Sequence, residues 1–487
     1  SHSKHLGSLG KVASMSSTTT RQAPRHTGVT PSPTTAAATP QWWRDLAGAA
    51  AWLLCLFVTA LWVSGGGTQT ATGSLAGFFL SLGRLTGMWA SVLVLLQVLL
   101  MARIPFVERS YGQDDLTRKH RLVGFTSFTL LLAHLMLITL GYAANTTLGL
   151  VGTFVDLVLS YPGMLLAFAA TVALTMVVVT SIRRARRALR YESWHLIHLY
   201  AYLGAGLAVP HQLWTGADFL SSTAATVFWW GLWVAALLAV LAFRVGMPLW
   251  RSMRHRLVVS QVIAEQPGLT TVVVTGRRLE ALPVRGGQFF QWRFLGVPGW
   301  TRAHPYSLSA APDGRSLRFT VEHVGDGSAA VADLRPGTPV LVEGPYGRLH
   351  AGVRQRRKVL LMASGIGVTP LKAILEDLDQ RPGDVVLVHR VHDAATRMLA
   401  TAVDASAAAR GAQVVVVPGR RVQARASWLP ESAAHLDDVA ALRHLVPDVA
   451  ERDVFVCGAS GWMDAVVGAA RDAGVPAANI HIEAFAL

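Results

Sequence analysis

The feature that most restricts the fold is a series of six apolar runs in the first half of the chain. Most of them are close to the roughly 20 residues that a helix needs to cross a bilayer. The composition, with 52% hydrophobic and 15% charged residues, also favours a membrane protein. The runs predict six spanning helices, at Ala47–Val63, Ser74–Met101, Leu122–Leu140, Tyr161–Ile182, Trp194–Leu213 and Thr223–Phe243.

The segments between these runs alternate in charge. Segments 64–73, 141–160 and 212–222 contain only two charged residues, Asp156 and Asp218. The opposite side carries many arginines, which by the positive-inside rule marks the cytoplasmic face. We therefore expect both termini to be cytoplasmic and the lipid bilayer to be a partner. We also expect the location to be a bacterial plasma membrane, and the partners to include neither nucleic acid nor an obligate protein. The basic residues are Arg103, Arg109, Arg118, Lys119, Arg183, Arg184, Arg186, Arg187, Arg190, Arg244, Arg251, Arg254 and Arg256.

The amino-terminal segment and the cysteines add further limits. Residues 1–41 are rich in Ser, Thr, Pro and Ala without apolar periodicity, which predicts a disordered tail. Met15 is a candidate for the natural start, and we expect no cleaved signal peptide because polar sequence precedes the first run. Cys55 and Cys457 are predicted to lie in different compartments, so we expect neither a disulfide nor a four-cysteine metal site.

Histidines at matched depths occur in the third and fifth runs. Fourteen residues separate His120 from His134, so both lie near one helix face, about 21 Å apart along the axis. Both runs are predicted to cross in the same direction, which places His198 level with His120 and His211 level with His134. Two pairs of facing imidazoles are what two bis-histidine haems require. The alternative is four core or pore-lining histidines with hydroxyl partners.

The spacing in the fifth run leaves one histidine undecided. His195 and His198 both lie near its start, and thirteen steps from His198 to His211 leave these two about 140° apart on an ideal helix. Pro210 could kink or rotate that end of the helix. Geometry alone does not choose between His195 and His198.

The six runs with paired histidines resemble the ferric reductase and NADPH oxidase superfamily. The resemblance implies that His198, which follows Trp194 by a few residues, is the ligand rather than His195. It assigns the inner haem iron to His120 and His198, and the outer haem iron to His134 and His211. Arg84, ten residues into the second run, is implied as a haem propionate partner, and the alternative is an arginine that snorkels to the outer interface.

Short β-rich runs separated by Gly and Pro follow the sixth apolar run and predict a small antiparallel barrel. Within it, HPYS could hold a flavin, because an aromatic ring stacks on the isoalloxazine and a hydroxyl reaches its N5 edge. GDGS offers backbone N–H groups and a hydroxyl to a pyrophosphate. The predicted FAD residues are His304, Pro305, Tyr306, Ser307, Gly325, Gly327 and Ser328.

From Lys358 the chain alternates strands and helices, which predicts a doubly wound domain with a parallel sheet. The turn after its first strand, SGIGVTP, has glycines that let a pyrophosphate approach the start of a helix. It lacks the third glycine of the general dinucleotide fingerprint. The predicted NAD(P)H residues of this turn are Gly365, Gly367, Thr369 and Pro370.

These motifs, in this order and with GPYG between them, resemble the ferredoxin–NADP reductase family. That family has Arg-x-Tyr-Ser and the NADPH oxidase branch has His-Pro-Phe-Thr, so His304–Ser307 is a hybrid. The resemblance implies that Cys457 and Gly458 lie beside the nicotinamide. It also implies that Phe485, preceded by Glu483, stacks on the flavin. Phe485, Cys457 and Ser307 are thus the implied catalytic residues, while Arg390, Arg420 and Arg421 are either 2′-phosphate contacts or solvated arginines.

The predicted architecture is multidomain. It comprises a disordered tail (1–41), a six-helix transmembrane di-haem bundle (42–250), an antiparallel β-barrel FAD domain (251–352) and an α/β NAD(P)H-binding domain with a parallel sheet (353–487). The resemblance covers nearly the whole chain from Trp42 onward. It implies cofactors FAD, two b-type haems, and NADPH or NADH.

The implied function is a transmembrane oxidoreductase that moves electrons from cytoplasmic NAD(P)H through FAD and two haems to an outer acceptor. Oxygen, giving superoxide, is favoured over a ferric chelate because the predicted outer segments are short and hold two acidic residues. A quinone or a periplasmic partner protein is a third acceptor. A haem- or nucleotide-regulated channel or sensor is the alternative from another class. The sequence leaves the acceptor, the nucleotide preference, regulation and oligomeric state undetermined.

Overall fold

The computed structural model describes residues 41–182, 185–186, 189 and 191–484. These residues form two compact units, a helical unit (41–246) and a sheet unit (247–484). The predicted disordered tail therefore lies outside the described residues, apart from Gln41. Four of the predicted inner-face arginines and the predicted flavin-stacking aromatic also lie outside them: Arg183, Arg184, Arg187, Arg190 and Phe485.

Long apolar helices joined by shorter ones make up the helical unit. The last long helix continues as a π-helix over Val240–Gly246. The helices are α1 Gln41–Ser64, α2 Gly67–Gly73, α3 Leu75–Met101, α4 Pro105–Tyr111, α5 Gln113–Ala143, α6 Gly149–Ser160, α7 Met164–Ser181, α8 Tyr191–Trp214 and α9 Thr223–Ala239.

Five helices within the described residues are long and apolar enough to cross a membrane. They are Trp42–Ser64, Leu75–Met101, Asp115–Ala143, Met164–Ser181 and Thr223–His255. The predicted fifth span, Trp194–Leu213, is helical as part of α8, but α8 is not among the five. Its 24 residues are sufficient in length, so its polar composition, including three histidines, is the reason. The fifth of the six predicted spans therefore remains a prediction.

Two predicted connecting segments contain helices. Segment 141–160 includes the apolar helix α6, whose 12 residues are too few to cross a bilayer. Segment 64–73 includes α2. Charge identified these segments as lying outside the spans, but absence of charge does not distinguish a loop from a short apolar helix.

Glycines let the helices of this unit approach closely. A Cβ on Gly83 would lie 2.8 Å from the Ile138 side chain, and one on Gly141 would lie 2.5 Å from Leu80, so α3 and α5 pack through small residues. Large apolar side chains also point outward from this unit, and Trp52, for example, is 68% exposed. Such a surface suits lipid rather than water.

Strands and shorter helices form the sheet unit. The helices are α10 Met247–His255, α11 Asp326–Ala329, α12 Val368–Asp377, α13 Ala400–Arg410, α14 Asp438–Leu445 and α15 Ser460–Asp472. The strands are β1 Val258–Gln266, β2 Leu269–Thr275, β3 Phe289–Phe294, β4 His304–Ser307, β5 Ser316–Glu322, β6 Val340–Tyr346, β7 Val359–Ser364, β8 Val385–Val391, β9 Gln413–Pro418, β10 Asp453–Gly458 and β11 Ile480–Ala484.

The first six strands form two three-stranded antiparallel sheets, ordered β1-β2-β5 and β4-β3-β6. Isolated bridges, Val258 with Pro339 and Leu308 with Phe319, connect the edges of the two sheets. The core between them includes Trp292 and Phe319, both fully buried. The antiparallel pairing agrees with the sequence, while closure into a barrel remains a prediction.

The remaining strands form one parallel sheet with the order β11-β10-β7-β8-β9. This confirms the predicted parallel sheet. The edge strand β11, with the sequence IHIEA, was not predicted as a strand. Because β10 lies between β7 and β11, the carboxyl ends of these three strands meet at one edge of the sheet.

Candidate functional site

Four histidines on α5 and α8 form two facing pairs. The ring centroids of His120 and His198 are 5.9 Å apart, and those of His134 and His211 are 6.2 Å apart. The side chain of His195, the alternative to His198, is exposed. The ring contact with His120 therefore belongs to His198, the histidine that the resemblance implied and geometry alone left undecided.

The surroundings of each pair orient its rings. Trp194 stacks on His198 at a centroid distance of 5.0 Å, and the guanidinium of Arg186 lies 4.4 Å from the Trp194 ring centroid. At the other pair, a Cβ on Gly87 would lie 2.5 Å from Nδ1 of His134. A Cβ on Gly163 would lie 2.9 Å from the His211 backbone nitrogen. Both glycines leave space for the His134–His211 pair that a larger residue would fill.

Within the described residues, each of the four histidines has a hydrogen-bond partner at Nδ1. His120 contacts the Gln97 carbonyl at 3.3 Å and His134 the Gly83 carbonyl at 2.7 Å. A carbonyl only accepts, so in these two rings Nδ1 carries the proton and the lone pair lies on Nε2.

The other two histidines contact hydroxyls, with the same result. Nδ1 of His211 lies 2.6 Å from the Thr215 hydroxyl, which itself donates to the His211 carbonyl. Nδ1 of His198 lies 3.4 Å from the Ser181 hydroxyl, which donates to the Val177 carbonyl. Each hydroxyl has used its single proton, so each imidazole donates from Nδ1 and has its lone pair on Nε2.

This donor set fits haem better than a bare metal ion. The described residues contain no cluster of three or more His, Cys, Asp or Glu side chains that could hold a metal ion alone, whereas a structural or catalytic zinc takes three or four protein ligands. Two facing imidazoles suit an iron already held by a macrocycle. Two nitrogen–metal bonds of about 2 Å, plus about 1 Å from each nitrogen to its ring centre, would separate the centroids by about 6 Å, close to both separations.

Arg84 has a protein partner that the sequence did not indicate. Its Nε donates to Asp218 at 2.7 Å, and Nη2 donates to the other carboxylate oxygen. Asp218 belongs to a short 3-10 helix at Ala217–Phe219 and is buried. This pair uses two of the five guanidinium donors, so a propionate contact remains a proposal rather than the primary role of Arg84.

The HPYS motif forms strand β4 beside β3. Tyr306 stacks on the buried Phe319 at a centroid distance of 5.3 Å, with His304 stacked on Tyr306 at 5.8 Å. Burial raises the pKa of Tyr306 to about 12, so its phenol stays protonated at neutral pH. Burial lowers the pKa of His304, and the positive charges of Arg302 and Arg293 lower it further. The strand thus presents two neutral rings, with Ser307 buried at its end.

The GDGS motif lies against this strand. A Cβ on Gly327 would lie 3.2 Å from the His304 ring, so the two predicted FAD motifs meet. Ser328 caps α11: its hydroxyl accepts from the Val324 and Gly325 backbone nitrogens and donates to the Gly325 carbonyl. Part of the motif's hydrogen bonding is therefore used within its own turn.

The two predicted nucleotide motifs also meet. Gly365–Gly367 forms a 3-10 turn at the end of β7 and leads into α12, where Thr369 and Pro370 are buried. A Cβ on Gly367 would lie 2.3 Å from the Cys457 carbonyl, and one on Gly458 would lie 2.7 Å from Cβ of Ser364. Glycine at 367 and 458 is what allows the ends of β7 and β10 to touch.

Cys457 is 1% exposed, and its thiol contacts the Glu483 carbonyl at 3.7 Å. Burial raises the pKa of the Cys457 thiol well above its ordinary value, and Glu483 raises it further. The thiol is therefore neutral and unsuited to act as a nucleophile. Ala484 pairs with Gly458 at the end of β11, so the chain leaves the sheet beside the Cys-Gly motif. Phe485 itself lies outside the described residues.

The three arginines considered for a 2′-phosphate have different surroundings. Arg390 is 7% exposed and donates to the carbonyls of Val391, Val417 and Arg420. Its guanidinium is thus directed to backbone oxygens, which disfavours the predicted phosphate contact. Arg420 and Arg421 are exposed. Arg390 supports the segment that carries them.

Sequence reasoning missed several residues of these sites. Thr215 lies four residues after His211 and Ser181 precedes α8 by ten, and the first spacing is a signal that helix periodicity could have identified. Lys372 and Glu376 have the i,i+4 spacing of a helix ion pair, which the sequence could have indicated. The partner of Asp218, and the contacts of Lys372 with Ser309 and of Glu376 with Ala311, are distant in sequence, so only the folded chain reveals them.

Comparison with known proteins gives two kinds of match. Residues 86–209, within the helical unit, match the family described as ferric reductase like transmembrane component. The chain is also 32% identical over 238 residues to the ferredoxin reductase component of 3-ketosteroid-9-alpha-monooxygenase from Mycolicibacterium smegmatis, covering 47% of this chain and 64% of that protein. It is 27% identical over 251 residues to the flavohemoprotein of Xylella fastidiosa, covering 48% and 59%.

A solved structure is similar over about the same share of the chain. The flavohem-like FAD/NAD binding domain of nitric oxide dioxygenase from Vibrio cholerae aligns with a TM-score of 0.39 and 24% identity, covering 48% of this chain and 99% of that one. The match spans 64% and 59% of the two curated relatives' lengths. The chain is thus similar to a ferric-reductase-like transmembrane component over residues 86–209, and over about half its length it is similar to proteins with an FAD- and NAD-binding reductase module.

Proposed function

We propose that the chain is a transmembrane NAD(P)H oxidoreductase that takes electrons from cytoplasmic NAD(P)H and delivers them to an acceptor on the outer face. The observation that carries the proposal is the pair of facing histidine pairs on α5 and α8, with lone pairs on all four Nε2 atoms. Fourteen residues of helix separate His120 from His134, about 21 Å, which is most of the thickness of a bilayer core.

In the helical unit, His120 with His198 and His134 with His211 would hold two haems. Bound haem iron would supply the one-electron chemistry that links the two faces. The protein contributes orientation: the Gln97 and Gly83 carbonyls hold the α5 imidazoles, and hydroxyls hold those on α8. Such partners fix the tautomer of a ligating histidine and raise its basicity.

In the sheet unit, Tyr306 and Ser307 would hold the flavin ring, with Gly325, Gly327 and Ser328 near the pyrophosphate. The turn Gly365–Gly367, together with Thr369 and Pro370, would accept the pyrophosphate of NAD(P)H at the start of α12. Cys457 and Gly458 would lie beside the nicotinamide. The neutral Cys457 thiol supplies shape there rather than charge. Arg420 and Arg421, both exposed, are the candidates for a 2′-phosphate contact.

Oxygen is the proposed acceptor, giving superoxide. His134 and His211 would both serve as ligands of a bound haem, which would supply the electron, so the acceptor would not need to bind the iron. The buried Asp218 of the predicted outer face is neutralised by Arg84, so this carboxylate is not presented to a cationic chelate. A small neutral acceptor needs no charged pocket.

An absorbance experiment on the full-length protein in detergent, supplied with FAD, tests the proposal. NADPH is added under nitrogen and the haem bands are followed, and the run is repeated with NADH. Air is then admitted. Reduction by a nucleotide and rapid reoxidation in air, with superoxide detected, is the expected result.

Other outcomes of this experiment would change the proposed acceptor, the electron path or the class of protein. Bands that stay reduced in air until a ferric chelate is added would identify a ferric reductase, and reoxidation only by an added quinone would identify a quinone as acceptor. Absence of haem, or of any response to either nucleotide, would overturn the electron path. A purified protein that binds both cofactors without sustained NAD(P)H oxidation would instead be a sensor or channel.

A further inference from the structure

Helix α12 starts at the nucleotide turn and packs against the part of the sheet unit that carries the flavin motif. Its residues Val368 to Leu375 are all buried. A Cβ on Gly286, which precedes β3, would lie 2.2 Å from the Ala373 carbonyl, and the Gly286 nitrogen donates to Asp377 at 3.2 Å. Backbone therefore meets backbone, and the helix has little room to shift toward this side.

Lys372 is a buried cation with partners on both sides of this contact. It is 8% exposed. Its ammonium donates to the Ser309 carbonyl at 3.1 Å and to Oε1 of Glu376 at 2.6 Å. Ser309 follows the proposed flavin residue Ser307 by two positions and is itself buried. Lys372 thus links the nucleotide helix to the chain that leaves β4.

Glu376 joins three segments. Its carboxylate accepts from Lys372, from the Ser406 hydroxyl of α13 at 2.7 Å, and from the Ala311 nitrogen at 2.9 Å. Burial alone would raise the pKa of Glu376, but Lys372, Ser406 and Ala311 together hold it below its ordinary value. The carboxylate is therefore charged at neutral pH.

We propose that Lys372 and Glu376 are positioning residues that set the distance between the nicotinamide and the flavin. Neither lies in the motifs assigned to the cofactors, and both act by holding α12 against the segment that follows β4. The inference rests on the proposed function. Hydride transfer needs its two atoms within about 3–3.5 Å, and a displacement of about 1 Å costs about 100-fold in rate.

A purely structural role for Lys372 and Glu376 predicts a different result. Lys372 and Glu376 are four residues apart on one helix, a spacing at which an ion pair stabilises the helix in either order of charges. The contacts to Ser309 and Ala311 require a donor at 372 and an acceptor at 376. The double exchange Lys372→Glu with Glu376→Lys keeps the pair but reverses both requirements, so it separates the two roles.

The test uses the full-length protein in detergent with FAD, and ferricyanide as a soluble electron acceptor. Glu376→Gln, Lys372→Met and the double exchange are compared with wild type for FAD content, Tm, kcat, KM and the isotope effect with NADPH deuterated at C4. We expect kcat to fall about 10- to 100-fold, KM to change less than about 3-fold, FAD content to stay unchanged, and the isotope effect to rise. The double exchange keeps the ion pair, so it should recover part of the lost Tm, but kcat should stay low because the contacts to Ser309 and Ala311 are reversed.

A matched control is Lys358→Met, which removes a lysine that pairs with Asp448 at 2.7 Å elsewhere in the same unit. It should leave kcat unchanged. If Glu376→Gln and Lys372→Met both keep the wild-type kcat, the inference is overturned while the proposed function stands. A double exchange that restores kcat together with Tm would overturn the inference in the same way. A wild-type protein that oxidises neither NADPH nor NADH would overturn the proposed function, and the inference with it.

Discussion

The helical unit and the sheet unit bring their candidate site residues together by different means. In the helical unit, His120 and His134 lie on one helix, and the spacing along that helix sets their separation. In the sheet unit, Gly367 and Cys457 are ninety residues apart and meet because β7 and β10 are neighbours in a parallel sheet. The first arrangement depends on local periodicity, while the second depends on the topology of the whole sheet.

Burial differs between the two units for a related reason. Trp52 in the helical unit is 68% exposed, whereas Trp292 and Trp428 in the sheet unit are fully buried. Lipid removes the driving force that would bury an apolar side chain inside the helical unit, so close packing there falls to small residues. A glycine at a close contact is nevertheless a sensitive position in both units.

The largest expected effect comes from removing the outer histidine pair. His134→Ala combined with His211→Ala should lower haem content to about half of wild type. Delivery to the outer acceptor should fall to background, while flavin-level NAD(P)H oxidation with ferricyanide continues. The pigment is measured by absorbance against protein concentration. His195→Ala, a change at an exposed histidine of the same helix, should retain both haems; unchanged pigment in the double variant would refute the assignment.

Gly367→Ala tests the backbone contact of the sheet unit. The added Cβ would lie 2.3 Å from the Cys457 carbonyl and 2.9 Å from the Gly458 nitrogen, atoms that cannot move aside cheaply. We expect NAD(P)H oxidation to fall about 100-fold with haem content unchanged. Steady-state kinetics with ferricyanide measure it. The control is Gly468→Ala in α15, where a Cβ meets nothing within 4 Å and should stabilise the helix by about 0.5–1 kcal/mol. Equal kinetics in both variants would contradict this reading of the turn.

Gly87→Ala is the corresponding change in the helical unit. Its Cβ would lie 2.5 Å from Nδ1 of His134, so the ring must shift from its position opposite His211. We expect haem retention at the outer site to weaken about 100-fold, the upper end for a change beside a metal ligand. Titration of the haem-depleted protein with haemin measures it. Gly231→Ala in α9, with open space around its Cβ, should bind haem as wild type does. If both variants bind haem tightly, His134 is not part of the haem site.

The smallest expected effect is that of Thr215→Val, which removes the hydrogen-bond partner of the His211 Nδ1 at 2.6 Å. The ring keeps its place in α8 but loses the contact that fixes its tautomer. We expect about 10-fold weaker haem retention at the outer site, with a shifted outer-haem midpoint potential in a redox titration. Thr129→Val removes a comparable hydroxyl from the exposed side of α5 and should change neither quantity. A potential that is unchanged in Thr215→Val would show that this hydroxyl does not tune the site.

Sequence by itself determined the features that depend on neighbouring residues along the chain. The apolar runs became helices, the β-rich runs became strands, and the alternation after Lys358 became a parallel sheet. The histidine spacing placed two imidazoles along α5 because helix geometry is regular. The motif HPYS forms a short strand, and SGIGVTP lies at a strand-to-helix turn.

Tertiary structure decided every feature that needs a partner distant in the chain. It brought His198, rather than His195, to His120, paired Arg84 with Asp218, and directed Arg390 to carbonyls. It also produced β11 and the contacts of Lys372 and Glu376 across α12. The physical reason is that periodicity and turn chemistry act over a few residues. Which ion pair or hydrogen bond forms between remote residues depends instead on which surfaces the packed helices and sheets bring within about 3 Å.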